Sequence, residues 1–587
     1  MQNQRRNIMQ SIYEAMKNEE RRRNALRLVS EMEHVANLGD RERGVAVLMS
    51  YLLYKCSKAL NGGTISYKEL FGERLGLDEN LACTLKDYLS EEKWEMLVPL
   101  LGKYTAEDFS LAVFSGIEYA PARAEMEETP RALVKLSEKL LDIRAGDKVA
   151  DLCSGVGGFL TAAAADEPDA EYYGYELNGI SKLITDIRAE LLGVNVKNRI
   201  RDVFVLPEDS TMKYDKIFSN YPFGVRMRKH KSGEHLCAEI AKECPEARMI
   251  ASDWVFNEAI NRLLKENGRA VAIMTSGSTW NVSDKAMRKY FADRGFIEAV
   301  ITLPSKLFSY SFISTSILVM SRGNTSIRLV DASTFCKESL RGNELTDEDI
   351  EKIMDAMKED GAYSKTIDLA ALRENDYTLS LGRYSVESIH LKNPVPFSTV
   401  IKRLSRGSAI RSSELKALSS TEPTNMRYLM LTNIKGGVID EELPYLSKID
   451  VKQEKYCLNN NDLILSKIGV PHKIAVASVK EGQQILASGN LYIIEIDEEK
   501  ADPYYLKAFF ESERGSAILK SITRGVAIQT IAADDLKNIR IPLLPMETQK
   551  RIARKYCAGM DEIAILKRKI ARTEERLHGV FDEECEE

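Results

Sequence analysis

Asp151-Leu-Cys-Ser-Gly-Val-Gly-Gly-Phe159 decides how the chain reads. A short apolar run, Lys148 to Cys153, reads as a strand leading into it. Gly155, Gly157 and Gly158 make a turn, and Phe159-Leu-Thr-Ala-Ala-Ala-Ala opens a helix. Glycine lets the backbone approach a ligand closely and take positive φ, and the helix start beyond it points N–H groups at that ligand. Every nucleotide-binding βαβ unit has such a turn, so alone it is weak evidence. About seventy residues on, Asp215-Lys-Ile-Phe-Ser reads as another strand, ending in Asn220-Tyr221-Pro222-Phe223-Gly224. An amide, a proline and an aromatic at the carboxyl end of a strand lie where an open α/β sheet binds its ligand.

Together these stretches resemble the cofactor and catalytic motifs of the N6-adenine DNA methyltransferases, in particular the modification subunit of type I restriction systems. That family's catalytic motif is Asn-Pro-Pro-Phe or Asn-Pro-Pro-Tyr, and here Tyr221 stands in place of the first proline. The resemblance implies S-adenosylmethionine as cofactor and adenine in DNA as substrate. It gives Asn220 and the carbonyl of Tyr221 the task of accepting both N–H groups of the adenine amine. Pro222 keeps the preceding residue extended. Phe223 stacks on a base flipped out of the duplex.

The offsets along the sheet agree with this reading and favour S-adenosylmethionine over NAD. Tyr172-Tyr-Gly-Tyr-Glu176 reads as the second strand, and an acid at that strand's end accepts hydrogen bonds from a ribose, so Glu176 is the candidate. A third strand-like run near Arg199 ends at Asp202, where the family places a residue that meets the adenine amino group; an ordinary loop acid is the alternative. Asp151 sits where the family's first-strand acid orders the glycine turn or touches the methionine moiety. Ser154, Gly155, Gly157 and Gly158 supply the turn itself. Thr129-Pro130-Arg131 opens a helix to Leu141, with proline expected at its first position. The family packs this helix beside the cofactor, so Thr129 is a candidate contact or simply a helix cap. Arg226, Arg228, Lys229 and Lys231 follow the catalytic strand, where they are candidate DNA-phosphate contacts.

The bulk properties set the outer limits. A chain of 587 residues has room for three or so domains. No run of eighteen apolar residues exists, so no membrane span is expected. The first residues lack the apolar core of a signal peptide, which points to the cytoplasm. Nine cysteines without a Cys-x-x-Cys pair suit reduced thiols better than zinc or disulfides, and no metal is expected. A formal charge of −6 argues against a protein coated in nucleic acid but not against a local basic groove.

The expected fold is a multidomain α/β protein. Residues 1–120 form a helical N-terminal domain, a packing domain or a DNA clamp. Residues 121–390 form a Rossmann-like class I methyltransferase sheet, closing with Asp376-Tyr-Thr-Leu-Ser-Leu-Gly-Arg-Tyr384, which resembles the usual end of a modification subunit. From Phe397 the chain resembles a target recognition domain of a type I specificity subunit, an α+β domain over 391–545. Its β-rich phrases include Phe397-Ser-Thr-Val-Ile and Leu458-Asn-Asn-Asn-Asp-Leu-Ile-Leu-Ser466. Residues 546–587 form a coiled-coil-like helix with Tyr556, Ile563, Leu566, Ile570 and Leu577 at three- and four-residue spacing. The resemblance implies a site-specific adenine methyltransferase carrying its own DNA reader. A homodimer through the terminal helix and a separate restriction nuclease subunit remain open as partners beside double-stranded DNA. The competing readings are a catalytically silent DNA-binding protein, motivated by Tyr221, and methylation of RNA or of protein glutamine.

Overall fold

β1 (Lys148–Asp151) runs straight into the glycine turn, and a nine-stranded sheet is built to either side of it. The computed structural model describes residues 18–39, 42–59, 65–117, 128–205, 212–247, 250–308, 313–339, 342–384, 391–524 and 529–585. The other strands are β2 (Glu171–Glu176), β3 (Val196–Ile200), β4 (Tyr214–Ser219), β5 (Leu264–Thr275), β6 (Ile297–Thr302), β7 (Thr315–Met320), β8 (Ser326–Asp331) and β9 (Ser364–Asp368). They lie in the order β3-β2-β1-β4-β5-β7-β6-β8-β9. β3, β2, β1, β4 and β5 are mutually parallel, whereas β7 runs antiparallel to both β5 and β6. This is the methyltransferase-like sheet that the sequence implied. Its central strands read as continuous apolar runs because helices cover both faces.

Register explains why one edge of this sheet becomes a site. Asp151 pairs with Gly174 on one side and Phe218 on the other. The carboxyl ends of β1, β2 and β4 therefore finish side by side. Beyond them lie the glycine turn, Glu176 and Asn220, respectively.

Helices α1 (Glu19–Val35), α2 (Arg43–Ala59) and α3 (Ala106–Ser115) supply much of the N-terminal segment's core, with four further helices between Tyr67 and Lys103 among the described residues. Gly62-Gly63, which the sequence marks as a turn between the helices of this segment, lies outside the described residues. After α4 (Arg131–Leu141) come α5 (Gly158–Asp166), α6 (Gly179–Leu192), α7 (Lys231–Glu243) and α8 (Ser252–Leu263). Leu28, Val29, Leu48, Leu52 and Phe109 share one core with Leu183, Ile184 and Ile187 of α6. The N-terminal helices thus pack on the sheet's own helical layer, and residues 1–381 form one compact unit. Residues buried from α4, α5 and the sheet make a second core, in which Leu133, Leu136, Phe159 and Phe218 meet.

Residues 382–587 form the other compact unit. Among the described residues its strands make two four-stranded sheets and three two-stranded pairs. In one four-stranded sheet Ile401–Arg406, Leu491–Ile496, Leu463–Ser466 and Ile474–Val476 lie in that order. Phe397–Val400, expected as β, is a 3-10 turn instead: Phe397 and Val400 both point into the core, a period of three that a strand cannot give. Helix α9 (Pro503–Glu511) is capped at its start by Asp502, whose carboxylate accepts from Tyr504 N and Tyr505 N. Helix α10 (Met546–Cys585) ends the described chain. No helix of the described residues is long and apolar enough to cross a membrane.

Candidate active site

A small hollow opens at the carboxyl edge of the sheet, lined by Glu128, Thr129, Cys153, Ser154, Gly155, Val156, Gly158, Asn220 and Tyr221. Three separate stretches of chain build it. The glycine turn forms its floor with Gly155 at φ 52° and Gly157 at φ 79°, both left-handed. A Cβ at Gly157 would stand 2.5 Å from the Thr185 side chain, so α6 excludes any other residue there. Gly158 is the first residue of α5, and the Glu128 carboxylate lies 3.4 Å from where its Cβ would be.

Asn220 leaves β4 at the edge of this hollow. Its Nδ2 donates to Thr129 Oγ1 at 3.0 Å. That bond fixes the plane of the amide and leaves Oδ1 as the free acceptor. Of the two roles expected for Thr129, cofactor contact or helix cap, the cap falls to Pro130, one residue later than a proline at the first helical position would require. The threonine hydroxyl is thus placed on the asparagine, not on the helix.

Tyr221 is 1% exposed. Its ring stacks on Phe256 with centroids 4.6 Å apart and planes 5° off parallel, and its hydroxyl donates to Asn257 Oδ1 at 3.2 Å. Burial raises that hydroxyl's pKa well above the ordinary tyrosine value, so it stays a donor. The bulk that replaces a proline therefore turns into the core. Pro222 is exposed, and half-buried Phe223 meets Phe308 edge-on at 5.9 Å.

The three acids expected at the site, Asp151, Glu176 and Asp202, lie outside the hollow's lining. Asp151 is buried beneath the turn, with Oδ1 accepting from Cys153 N at 3.2 Å. Burial, with Glu176 adding repulsion, pushes its pKa up to about 8. Glu176 straps the turn to β2: Oε2 accepts from Gly155 N at 2.8 Å, and Oε1 accepts from Leu177 N and Asn178 N. Ser154 faces the sheet, where its hydroxyl lies 3.3 Å from Asn198 Oδ1. Asp202 accepts from Phe204 N at 2.9 Å and lies 3.9 Å from His230 Nε2. It caps its own loop and faces the basic run.

Arg226, Arg228, Lys229 and Lys231 are all exposed, around the short 3-10 turn Met227–Lys229 and the start of α7. Among the described residues they make no ion pair.

The sequence reading missed Glu128, Phe256 and Asn257. Glu128 sits in a run of acids, Glu127-Glu128, with no spacing that marks it. Phe256 and Asn257 lie one helix away from the motif they hold, and nothing local signals that packing.

A parallel-rich sheet with a glycine turn after β1 and an asparagine–proline–aromatic corner after β4 defines the class: an α/β domain of the methyltransferase type. Residues 119–392 match the family model described as N-6 DNA Methylase. Residues 421–575 match the model described as Type I restriction modification DNA specificity domain. The type I restriction enzyme MjaVIII methylase subunit of Methanocaldococcus jannaschii is 27% identical over 381 residues, 58% of this chain and 65% of that one. The type I restriction enzyme MpnII methylase subunit of Mycoplasma pneumoniae is 33% identical over 129 residues, 21% of this chain and 24% of that one. The chain spans less than two thirds of either relative. A crystal structure of the type I restriction-modification system methyltransferase subunit from Streptococcus thermophilus covers 65% of this chain and 98% of its own, at 16% identity and a TM-score of 0.49. The chain joins an N-6 DNA methylase domain to a type I DNA specificity domain, and is homologous to type I restriction-modification methylase subunits.

Proposed function

We propose that this chain is a sequence-specific DNA methyltransferase. It moves the methyl group of S-adenosylmethionine to the N6 of adenine, as the modification and recognition component of a type I-like restriction-modification system or as a solitary methylase. The observation that carries the reading is Asn220 at the rim of the glycine-floored hollow, with its NH₂ already tied to Thr129.

An exocyclic adenine amine is a poor nucleophile because its lone pair is delocalised into the ring. Acceptors on both its N–H groups favour the tetrahedral nitrogen that can attack. Asn220 Oδ1 is one acceptor and the carbonyl of Tyr221 the other. Anchoring Tyr221 through Phe256 and Asn257 holds that carbonyl where a proline ring would otherwise constrain it. Phe223 stacks on the flipped base. The rate gain then comes mainly from positioning.

The left-handed glycines of the turn, and the carboxylate acceptor at the end of β2 beside it, fit S-adenosylmethionine. When bound, the cofactor supplies an electrophilic methyl on a sulfonium. Thr129, Ser154, Gly155, Gly157 and Gly158 would cradle it, Asp151 holds the turn from beneath, and Glu176, beside the turn, would accept from the ribose. Arg226, Arg228, Lys229 and Lys231 contact DNA phosphates, and the C-terminal unit reads the sequence. A second copy pairs through α10, and the enzyme works in the cytoplasm with the chromosome.

Labelled S-adenosylmethionine incubated with the protein and unmethylated bacterial DNA tests the reading. Label should enter DNA with the wild type and fall by about a hundredfold or more with Asn220→Ala, the size of effect seen when one preorganised polar group at a reacting centre is lost. Specific DNA binding and cofactor binding without any transfer would instead favour the silent, DNA-binding reading.

A further inference from the structure

Arg188 lies on α6, outside the hollow, and is 1% exposed. A guanidinium has five N–H donors, and here all of them are engaged. Nε donates to Val113 O at 3.1 Å and Nη2 to Phe114 O at 2.9 Å, both in the last turn of α3. Nη1 donates to Val156 O in the glycine turn at 3.1 Å. Nη1 and Nη2 also grip the Glu128 carboxylate at 2.7 and 3.3 Å. Val156 and Glu128 are two walls of the same hollow. Glu128 is joined to Thr129, and Thr129 takes the hydrogen bond from Asn220.

We infer that Arg188 and Glu128 form a positioning pair that sets the width of the cofactor hollow and, through Thr129, the rotation of the Asn220 amide. The inference rests on the methyl-transfer reading above. A buried forked cation fixes direction as well as distance, because both of its ends must find acceptors at once. Packing alone would hold α3 on α6 without a bidentate carboxylate reaching back over the glycine turn. The N-terminal helices are thereby coupled to the reacting centre: α3 supplies two of the carbonyls that orient the guanidinium. Neither residue touches the reacting atoms.

The test uses the full chain with Glu128→Gln, which keeps the shape but loses the charge, and Arg188→Lys, which keeps the charge but loses the fork. The readouts are kcat, KM for S-adenosylmethionine, KM for DNA and the thermal melt. Glu128→Gln should lower kcat by about ten- to a hundredfold, raise KM for the cofactor several-fold, and leave KM for DNA unchanged with a melt close to wild type. Its effect on kcat should largely vanish in a Thr129→Val background, where the relay is already cut. Additive losses in that double variant, or a folded Glu128→Gln with wild-type kcat, would overturn the inference. If Arg188→Lys does not fold, Glu128→Gln and the double variant decide alone. If the wild type transfers no methyl, calorimetric binding of S-adenosylmethionine replaces kcat: weaker binding by Glu128→Gln supports the pair, and equal binding overturns it. A wild type that binds no S-adenosylmethionine at all ends the methyl-transfer reading, and the pair with it.

Discussion

Tyr221 shows how a side chain that breaks a motif can be accommodated by what lies behind it. Its ring is stacked and its hydroxyl paired, so the change from proline adds to the core without filling the hollow. Tyr221→Phe should cost about 1 kcal/mol, the worth of one buried hydrogen bond, and leave methyl transfer within a few-fold of wild type. Tyr221→Ala should cost roughly 3–5 kcal/mol, as for other large buried aromatics, and lose most activity; denaturant melts and label transfer check both. Asp151 gives a pH signature. Its folded pKa, pushed up to about 8 by burial, exceeds the unfolded value of roughly 3.9. The folded state therefore binds the extra proton between those values, and stability falls as pH rises from about 4 to about 8. Asp151→Asn should melt near wild type at about pH 4 and increasingly above it as the pH rises to about 8. Equal melting shifts at about pH 4 and about pH 8 would contradict this account of Asp151.

The glycine turn, the strand ends and the helix starts are legible in the sequence because each has a local cause. Gly157 must be left-handed and bare, and β1, β2 and β4 end within a residue or two of where the apolar runs end. What stays hidden depends on partners far away in the chain. The direction of the Tyr221 ring is set by Phe256 and Asn257 on α8, and the orientation of Glu128 is set by Arg188 on α6. The family resemblance puts Asp202 at the cofactor, yet its carboxylate faces Phe204 N and His230, since the loop after β3 closes on itself. The basic run is legible as a local cluster of cations, and Arg226, Arg228, Lys229 and Lys231 are each exposed. Replacing Arg226, Arg228, Lys229 and Lys231 together by alanine should weaken binding to all DNA sequences alike. The slope of log affinity against log salt should fall by about 0.9 for each phosphate that the variant no longer neutralises. Weakening confined to one target sequence would mean that these residues read bases instead.

The chain divides at residues 381 and 382 into two units, and the two family matches fall largely one to each. The segments expected as a recognition domain over 391–545 and a helix over 546–587 lie together in the second unit. The match to the specificity domain runs to 575, well into α10. On that helix Tyr556 turns inward to Lys507 and Glu511, while Ile563, Leu566, Ile570 and Leu577 are 47 to 67% exposed. An apolar stripe at that spacing has the pattern that a two-helix seam requires. Changing Ile563, Leu566 and Ile570 to lysine should convert a dimer to a monomer in sedimentation without unfolding the chain; an unaltered mass would remove α10 as the dimer interface. The central claim, transfer of methyl to adenine N6 at one site by the Asn220 corner, is tested most directly by single-molecule sequencing of DNA incubated with the protein and S-adenosylmethionine. The account predicts N6-methyladenine within one recurring sequence, absent after treatment with Asn220→Ala. Modified cytosine, adenine methylated without sequence preference, or the same marks left by Asn220→Ala would contradict it.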